Sequence, residues 1–258
     1  MHRAALLTAL LSLAIAAAAP PANAVQLDYT LYVLGVPLAD AMFNLEMTSA
    51  AYRLAMGFHT TGLADIVASD RLEQHVTGRI EHDQPMPASY VSTSRLHGQD
   101  RHVEIVWRDG TPVLTAVTPP NSSEREEVPA AQMVHASDPM SAIVVLIRRV
   151  AATGSCQASL RAYDGRHLNQ FEATSGGEED LPPTGRSSFA GRALRCDFVD
   201  RTLAGFRLGA ARAEDARERR GTVWLAQVVA GGPRLPVRAS IQTRLFGDAT
   251  LFLKAVAP

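Results

Sequence analysis

Residues 26–58 read QLDYTLYVLGVPLADAMFNLEMTSAAYRLAMGF, and apolar and polar residues alternate along most of this stretch. Alternation with a period of two is typical of a β-strand that buries one of its faces. A turn at Gly35-Val36-Pro37 and a short break at Ser49-Ala50 divide the stretch into three segments. Because short connections join strands in antiparallel order, the stretch predicts a three-stranded antiparallel meander.

The same alternation returns along most of the remaining chain. Asp109-Gly110 and Asp164-Gly165 each separate two alternating segments, and Asp and Gly both tolerate the positive φ that tight hairpin turns require. The pattern predicts about a dozen strands in all. Three segments break it: residues 62–70 are predicted as an irregular link, 175–183 as a flexible acidic loop, and 210–220 as a solvated segment, helical or disordered.

One segment, Met140 to Ala152, predicts a helix. Ser137 or Asp138 can cap its start, Pro139 suits its first position, and Gly154 can end it. The central residues 143–147 are all apolar, so the helix is apolar nearly all the way round. Such a helix is expected to be buried on most sides.

These elements together predict a mainly β protein. A sheet of about a dozen strands must curl, since open twisted sheets rarely stay flat beyond about ten strands. We therefore expect a single antiparallel curved sheet that forms an open or spiral β-barrel around one buried helix. Neither an internal repeat nor a clear linker divides the chain, so residues 25–258 are expected to form a single barrel-like domain.

The first 24 residues have the composition of a signal peptide. A basic start at Met1-His2-Arg3 precedes an apolar run from Ala4 to Ala19, and Ala22-Asn23-Ala24 offers small residues for cleavage after Ala24. The alternative is a membrane anchor, although a run of about 16 residues is short of the ~20 that span a bilayer. No later stretch is long and apolar enough to span a membrane. The sequence thus predicts an exported periplasmic protein.

Charge and cysteine content narrow the function classes. Removal of Arg3 leaves 24 basic residues against 26 acidic ones, a net charge of −2, whereas nucleic-acid binding requires a basic face. We therefore expect no nucleic-acid partner. The two cysteines, Cys156 and Cys196, predict a disulfide in an oxidising compartment. The alternative is a pair of free buried thiols.

The sequence offers no catalytic or metal-binding motif. The histidines are scattered without the spacing of a zinc site, and neither a G-x-S-x-G elbow, a Ser-x-x-Lys motif nor a Gly-rich phosphate loop is present. Carboxylate pairs such as Asp28 with Glu46 are expected in any chain of this composition. We therefore predict no catalytic residues, no metal, no cofactor and no enzymatic activity.

A set of inward-facing apolar side chains is the most informative feature for function. Each member fits an ordinary core, but together they could line a cavity inside a curved sheet, where Met adapts to apolar ligands of different shape. The candidate cavity-lining residues are Tyr29, Phe43, Met47, Met56, Phe58, Trp107, Met140, Ile143 and Ile147.

Five short motifs, in a fixed order along the chain, resemble a known family. They are Tyr29-x-x-Tyr32-x-x-Gly35-x-Pro37-x-Ala39, Asp138-Pro139-Met140-Ser141, Tyr163-Asp164-Gly165-Arg166, Ala190-Gly191 with Cys196 and Ala204-Gly205-Phe206, and Leu235-Pro236-Val237-Arg238. In this order they resemble the exported bacterial proteins catalogued as domain of unknown function 3108.

The resemblance implies a fold similar to that of periplasmic lipoprotein carriers and of envelope proteins with a spiral β-sheet. Those proteins wrap an open barrel around a helix and use the apolar interior for acyl chains or a peptide. The first hypothesis is therefore a protein that binds a lipid, acyl chain or lipoprotein inside the barrel. The second is a structural envelope protein that binds a protein partner or peptidoglycan through its rim or a sheet edge. A third, a hydrolase without a recognisable motif, would require clustered acids and histidines in a cleft.

Overall fold

The computed structural model describes residues 23–243 and 247–257. The predicted signal peptide lies outside the described residues, except that Asn23 and Ala24 begin the first strand. The predicted cleavage after Ala24 would therefore shorten that strand by two residues.

The described residues form thirteen strands and four short or medium helices. The strands are β1 (Asn23–Val33), β2 (Val36–Met47), β3 (Ala51–Thr60), β4 (Arg71–Glu81), β5 (Gln84–Leu96), β6 (Gln99–Arg108), β7 (Thr111–Thr118), β8 (Ala158–Tyr163), β9 (Leu168–Leu181), β10 (Gly191–Ala204), β11 (Arg219–Gln227), β12 (Arg234–Gln242) and β13 (Asp248–Ala257). The helices are α1 (Gly62–Val67), α2 (Ala130–Met133), α3 (Pro139–Thr153) and α4 (Arg212–Asp215), with a 3-10 turn at Asn121–Ser123.

All thirteen strands belong to one antiparallel sheet. Its order is β7-β6-β5-β4-β3-β2-β1-β13-β12-β11-β10-β9-β8, so every pair except β1 with β13 joins strands that follow each other in the chain. The sheet curls until its two edges, β7 and β8, leave one unsealed seam. The prediction of a mainly β, open barrel around one helix is confirmed.

The hairpin turns follow from residues that tolerate positive φ. Asp109 and Gly110 have φ of 50° and 74°, and Leu34 and Gly35 have φ of 50° and 82°. Two consecutive positive φ values give a turn whose twist matches that of the flanking strands. The Asp-Gly signal therefore marks its hairpin correctly, whereas Leu34 is a residue that sequence reasoning does not expect in this conformation.

Helix α3 begins and ends where its caps predict. The Asp138 carboxylate accepts hydrogen bonds from the backbone N–H groups of Met140 and Ser141, and Gly154 closes the helix with a φ of 70°. These contacts satisfy backbone groups that a helix end otherwise leaves unpaired. Val144 and Ile147 are fully buried, which contributes about 1.5–3 kcal/mol for each side chain. The helix therefore lies inside the barrel, as predicted.

The predicted loop at 175–183 is wrong. Strand β9 continues through Gly176 and Gly177 to Leu181, and it stays paired with β10 through a register shift between Arg195 and Cys196. Gly177 has a φ of 87°, which lets the ladder pass the irregularity instead of ending there. Residues 62–70, which were predicted as an irregular link, contain the short helix α1.

Cys156 and Cys196 form a disulfide. Both are fully buried in a small cluster with Leu146 and Val150 at the C-terminal end of α3. Cys156 precedes β8 and Cys196 lies on β10, with β9 between those strands. The bridge therefore ties the connection between α3 and β8 to β10, which is two positions from β8 in the sheet.

The seam between β7 and β8 is bridged by side chains. The Arg166 side chain, which is nearly buried, donates hydrogen bonds to the Thr118 carbonyl at 2.6 Å and to the Glu124 carboxylate at 3.3 Å. Asn121 donates to the Gly165 carbonyl at 2.7 Å. These contacts connect the end of β7 to the β8–β9 turn where no strand pairing does so.

Candidate functional site

A cavity of about 340 Å³ lies between α3 and the sheet. One wall is the helix, which contributes Pro139, Ala142, Ile143, Leu146 and Ile147. A water molecule takes up roughly 30 Å³ in the liquid, and small-molecule sites span about 300–1,000 Å³. The interior is therefore not filled by its own side chains, and the space suits an elongated or small apolar molecule.

The opposite wall comes from both halves of the chain. Most of its residues are apolar side chains that alternation turns inward. The wall consists of two polar residues, Asn169 and Asp200, and of Leu27, Tyr29, Phe43, Leu45, Leu54, Ala162, Phe171, Phe198, Val223, Leu225, Leu235, Pro236, Ala239 and Leu251.

Four of the nine candidate lining residues lie at this cavity. Tyr29, Phe43, Ile143 and Ile147 line it, and the Tyr29 and Phe43 rings make an edge-to-face contact at 5.6 Å between centroids. The Tyr29 hydroxyl donates to the Pro236 carbonyl at 2.6 Å, which satisfies the only polar atom of that side chain. Burial raises the pKa of Tyr29 well above its usual range, so the phenol stays protonated.

The other five lie elsewhere. Met47, Met56, Phe58 and Trp107 pack against the main core cluster, and Met140 is buried within it. Alternation places side chains on the inner face but does not say where the helix lies across that face. Since α3 packs most closely against β5 and β8, it fills part of the barrel and leaves a void toward β1–β3 and β9–β13. The Trp107 indole instead donates to the Ala136 carbonyl at 2.8 Å and holds the segment before the helix.

The lining residues of the C-terminal half were missed. Phe171 lies between Gln170 and Glu172, whereas Phe198 precedes Val199, and Val223 and Leu225 flank Trp224. Alternation and aromatic content therefore indicate Phe171, whereas the apolar neighbours of the other three leave the inward face of β10 and β11 undetermined from the sequence.

The cavity is open at the end of the barrel where β12 turns into β13. Ala239 and Leu251 line the cavity and lie directly opposite each other. Two residues closer to the turn, Ile241 lies opposite Ala249, and a period of two turns this pair inward as well. Ile241 is nevertheless 44% exposed. Solvent therefore reaches the inner face at this rim.

The start of α3 carries a buried acid. Asp138 is fully buried, and its second carboxylate oxygen has no hydrogen-bond partner among the described residues. Burial raises the pKa of Asp138 to about 6, although the hydrogen bonds from Ser141 and Met140 act in the opposite direction. The Ser141 hydroxyl also bonds the Tyr52 hydroxyl at 2.6 Å, which joins the helix start to β3.

Asp138→Asn should remove one pH-dependent contribution to stability. The carboxyl binds its proton more tightly in the folded state (pKa about 6) than in the unfolded state (about 4), so wild-type stability falls as the pH rises through this window. The loss attributable to this group is up to about 3 kcal/mol. Asn caps helices as well as Asp does but does not ionise.

Urea unfolding of wild type and Asp138→Asn between pH 4 and pH 7 would check this. We expect wild type to lose stability relative to the variant as the pH rises, and two parallel curves would contradict the assignment. Asp109→Asn, at an exposed hairpin turn, removes one carboxylate in the same way and is the matched control for net charge.

The described residues contain no cluster of three His, Cys, Asp or Glu side chains that could hold a metal ion. In the same part of the chain, no helix is both long and apolar enough to cross a membrane.

Comparison with known proteins gives a fold and a family. No curated protein matches the sequence. A β-barrel-like protein of the domain of unknown function DUF1849 from Brucella abortus has a similar structure, with a TM-score of 0.56 and 12% identity over 93% of this chain and 99% of that one. A structure described as a "putative lipoprotein" from Parabacteroides distasonis aligns over 92% of this chain and 97% of its own, at a TM-score of 0.37 and 9% identity.

The family assignment rests on the sequence. A family model described as "Protein of unknown function (DUF3108)" matches residues 28–254, which covers every strand of the barrel at least in part. That description names no catalytic activity. The matched range contains all five motifs, and the chain belongs to the DUF3108 family.

Proposed function

We propose that this protein is a non-enzymatic periplasmic binding protein that holds a hydrophobic ligand inside its half-closed barrel. The ligand class is a lipid, an acyl chain or the acylated part of a lipoprotein. The observation that carries the proposal is the cavity of about 340 Å³, whose wall is almost entirely apolar and which opens at one rim. Burial of a hydrocarbon chain there would gain about 0.8 kcal/mol for each methylene.

Two sequence features support the periplasmic location. The first 24 residues have the charged start, apolar run and small-residue site of an exported protein. The disulfide between Cys156 and Cys196 is of the kind that forms and persists in an oxidising compartment.

Ala142→Phe should block ligand uptake. Ala142 lies on α3 and lines the cavity, so a phenyl ring at this position would occupy space that an acyl chain needs. We expect the affinity for a fatty acid carrying an environment-sensitive fluorophore to fall about tenfold or more, measured by fluorescence titration. The melting temperature should not fall, because the ring fills a void instead of displacing packed atoms.

Ala152→Phe is the matched control, since Ala152 is exposed on the same helix. It should bind the probe like wild type. A wild-type protein that does not bind the probe, or an Ala142→Phe variant that binds it equally well, would contradict the proposal.

The edge of β7 favours a second role. Within the described residues, β7 pairs with β6 on one side and with no strand on the other. Such an edge can accept an extended segment of another protein by strand addition. A structural envelope protein that binds a protein partner or peptidoglycan would show no ligand uptake, and Ala142→Phe would leave its function unchanged.

A further inference from the structure

Large apolar side chains are exposed at the end of the barrel where the cavity opens. The described part of the chain exposes nine such side chains, and six of them belong to this end: Leu34, Val36, Leu63, Ile66, Val67 and Ile241. We refer to these six residues as the mouth rim. Single apolar residues scattered over a surface are ordinary, whereas a group of them marks a contact with a partner or a membrane.

Strand pairing joins part of the mouth rim into one row. Ile241 lies opposite Ala249, which in turn pairs with Val33. Val33 pairs with Val36 across the β1–β2 turn, and Leu34 follows in that turn with 75% of its side chain exposed. Residues that lie directly opposite each other project from the same face of a sheet. The row therefore crosses four neighbouring strands, which is roughly 14 Å at the usual strand spacing.

Helix α1 contributes the other three members of the mouth rim. The Thr61 N–H donates to the Leu38 carbonyl at 2.9 Å, which places α1 beside the start of β2 and hence at the same end of the barrel. Leu63, Ile66 and Val67 have the i, i+3, i+4 spacing that puts side chains on one face of a helix. They are 81%, 81% and 88% exposed. A surface helix normally turns its apolar face to the core, whereas α1 turns it to solvent.

We propose that the mouth rim docks on the surface of a lipid bilayer, so that a lipid passes between the bilayer and the cavity without crossing water. This inference rests on the proposed binding function and names the partner of its open end. Each methylene group that an acyl chain exposes to water lowers the population of that state about fourfold, so a contact that excludes water from the path makes the transfer faster.

Two features favour a bilayer over a protein as the partner. A protein seated on the mouth rim would close the opening through which the ligand has to pass, whereas a bilayer is the source of the ligand. The apolar face of α1 also projects almost completely into solvent, and a helix of this kind buries its apolar side chains at the boundary between headgroups and acyl chains.

The charges beside the mouth rim are of both signs. Asp65 and Asp248 are exposed acids, and Arg71 and Arg186 are exposed bases. Arg186 lies over the Tyr32 ring, two residues from Leu34. Because the charges are mixed, apolar contact and not attraction to anionic lipid has to supply the affinity. We therefore expect binding to vesicles of neutral phosphatidylcholine and little change when the salt concentration is raised.

Co-sedimentation with sucrose-loaded phosphatidylcholine vesicles tests the docking. We expect wild type to sediment with the vesicles and the double variant Leu63→Gln, Ile66→Gln to bind at least tenfold more weakly, since burial of one large apolar side chain contributes roughly that factor or more. Glutamine keeps the helix propensity of these positions. The matched control is Met42→Gln, Val134→Gln, because these two side chains are 41% and 40% exposed outside the mouth rim. It should bind like wild type.

Transfer of the fluorescent fatty acid from the protein to the same vesicles tests whether the docking serves the ligand. Exchange at a contact gives a rate that rises in proportion to the vesicle concentration, whereas a path through water gives a rate that does not depend on it. We expect the proportional behaviour for wild type and for the control. The Leu63→Gln, Ile66→Gln variant should bind the fatty acid like wild type and transfer it at least tenfold more slowly.

The possible failures can be told apart. A wild type that stays in solution, or a Leu63→Gln, Ile66→Gln variant that sediments equally well, would overturn the docking and leave the binding function standing. Wild-type dimers that this variant abolishes, in a protein that ignores vesicles, would overturn it in favour of a second copy of the chain. A protein that does not bind the fatty acid would overturn the binding function, while sedimentation still decides the docking by itself.

Discussion

Arg166→Ala should lower the free energy of unfolding by about 2–4 kcal/mol, because each polar group that loses its partner in a buried environment costs about 1–3 kcal/mol. The Arg166 side chain is 9% exposed and lies at the seam between the two edges of the sheet. It donates to the carbonyls of Thr118 and Pro119, at the end of β7, and to Glu124. Alanine would leave these carbonyls without their donor and would disconnect β7 from the β8–β9 turn.

The pattern of the loss should identify the seam. We expect urea unfolding to report the drop in stability and hydrogen exchange to accelerate first in β7, the edge strand that Arg166 holds. Arg79→Ala is the matched control, because Arg79 makes an exposed pair with Glu81 and such pairs contribute about 0–1 kcal/mol. A loss no larger than that of Arg79→Ala would mean that Arg166 does not hold the seam.

Removal of the disulfide should cost a similar amount, about 2–5 kcal/mol. The bridge joins residues 40 positions apart, and the chain-entropy model gives roughly 4 kcal/mol for a loop of this length. Cys156 and Cys196 are fully buried beside Leu146 and Val150, so the bridge also holds the C-terminal end of α3 against β10. The double variant with serine at both positions should remain folded at low temperature with a lower urea midpoint.

Addition of a reductant supplies the control for this experiment. It should destabilise the wild-type protein to about the level of the double serine variant and leave that variant unaffected. Two free thiols in the unfolded, non-reduced wild type would contradict the bridge.

Sequence patterns predict the fold well wherever the determining contacts are local. The alternation in residues 26–58 gives the first three strands, and Asp138, Pro139 and Gly154 give both ends of α3. Local chemistry sets these features, since a capping carboxylate and a positive-φ glycine act within one turn. The apolar circumference of α3 also indicates correctly that the helix is buried.

Features that depend on distant segments could not be predicted in the same way. The seam joins Arg166 to Thr118, 48 positions away in the chain, and no pattern in either segment indicates the other. The position of the cavity also depends on contacts between distant segments. Its inward-facing side chains can be identified from alternation, but the position of the void depends on which strands α3 packs against.

Native mass spectrometry of the protein exported to the periplasm and purified without detergent tests the central claim most directly. Solvent extraction and lipid analysis of the same sample would identify any bound molecule. We expect a mass increase equal to one lipid or acylated molecule, which is lost from Ala142→Phe and retained in Ala152→Phe. An unliganded mass for wild type that does not change when lipids are added would contradict the binding function and favour the partner-binding role of the β7 edge.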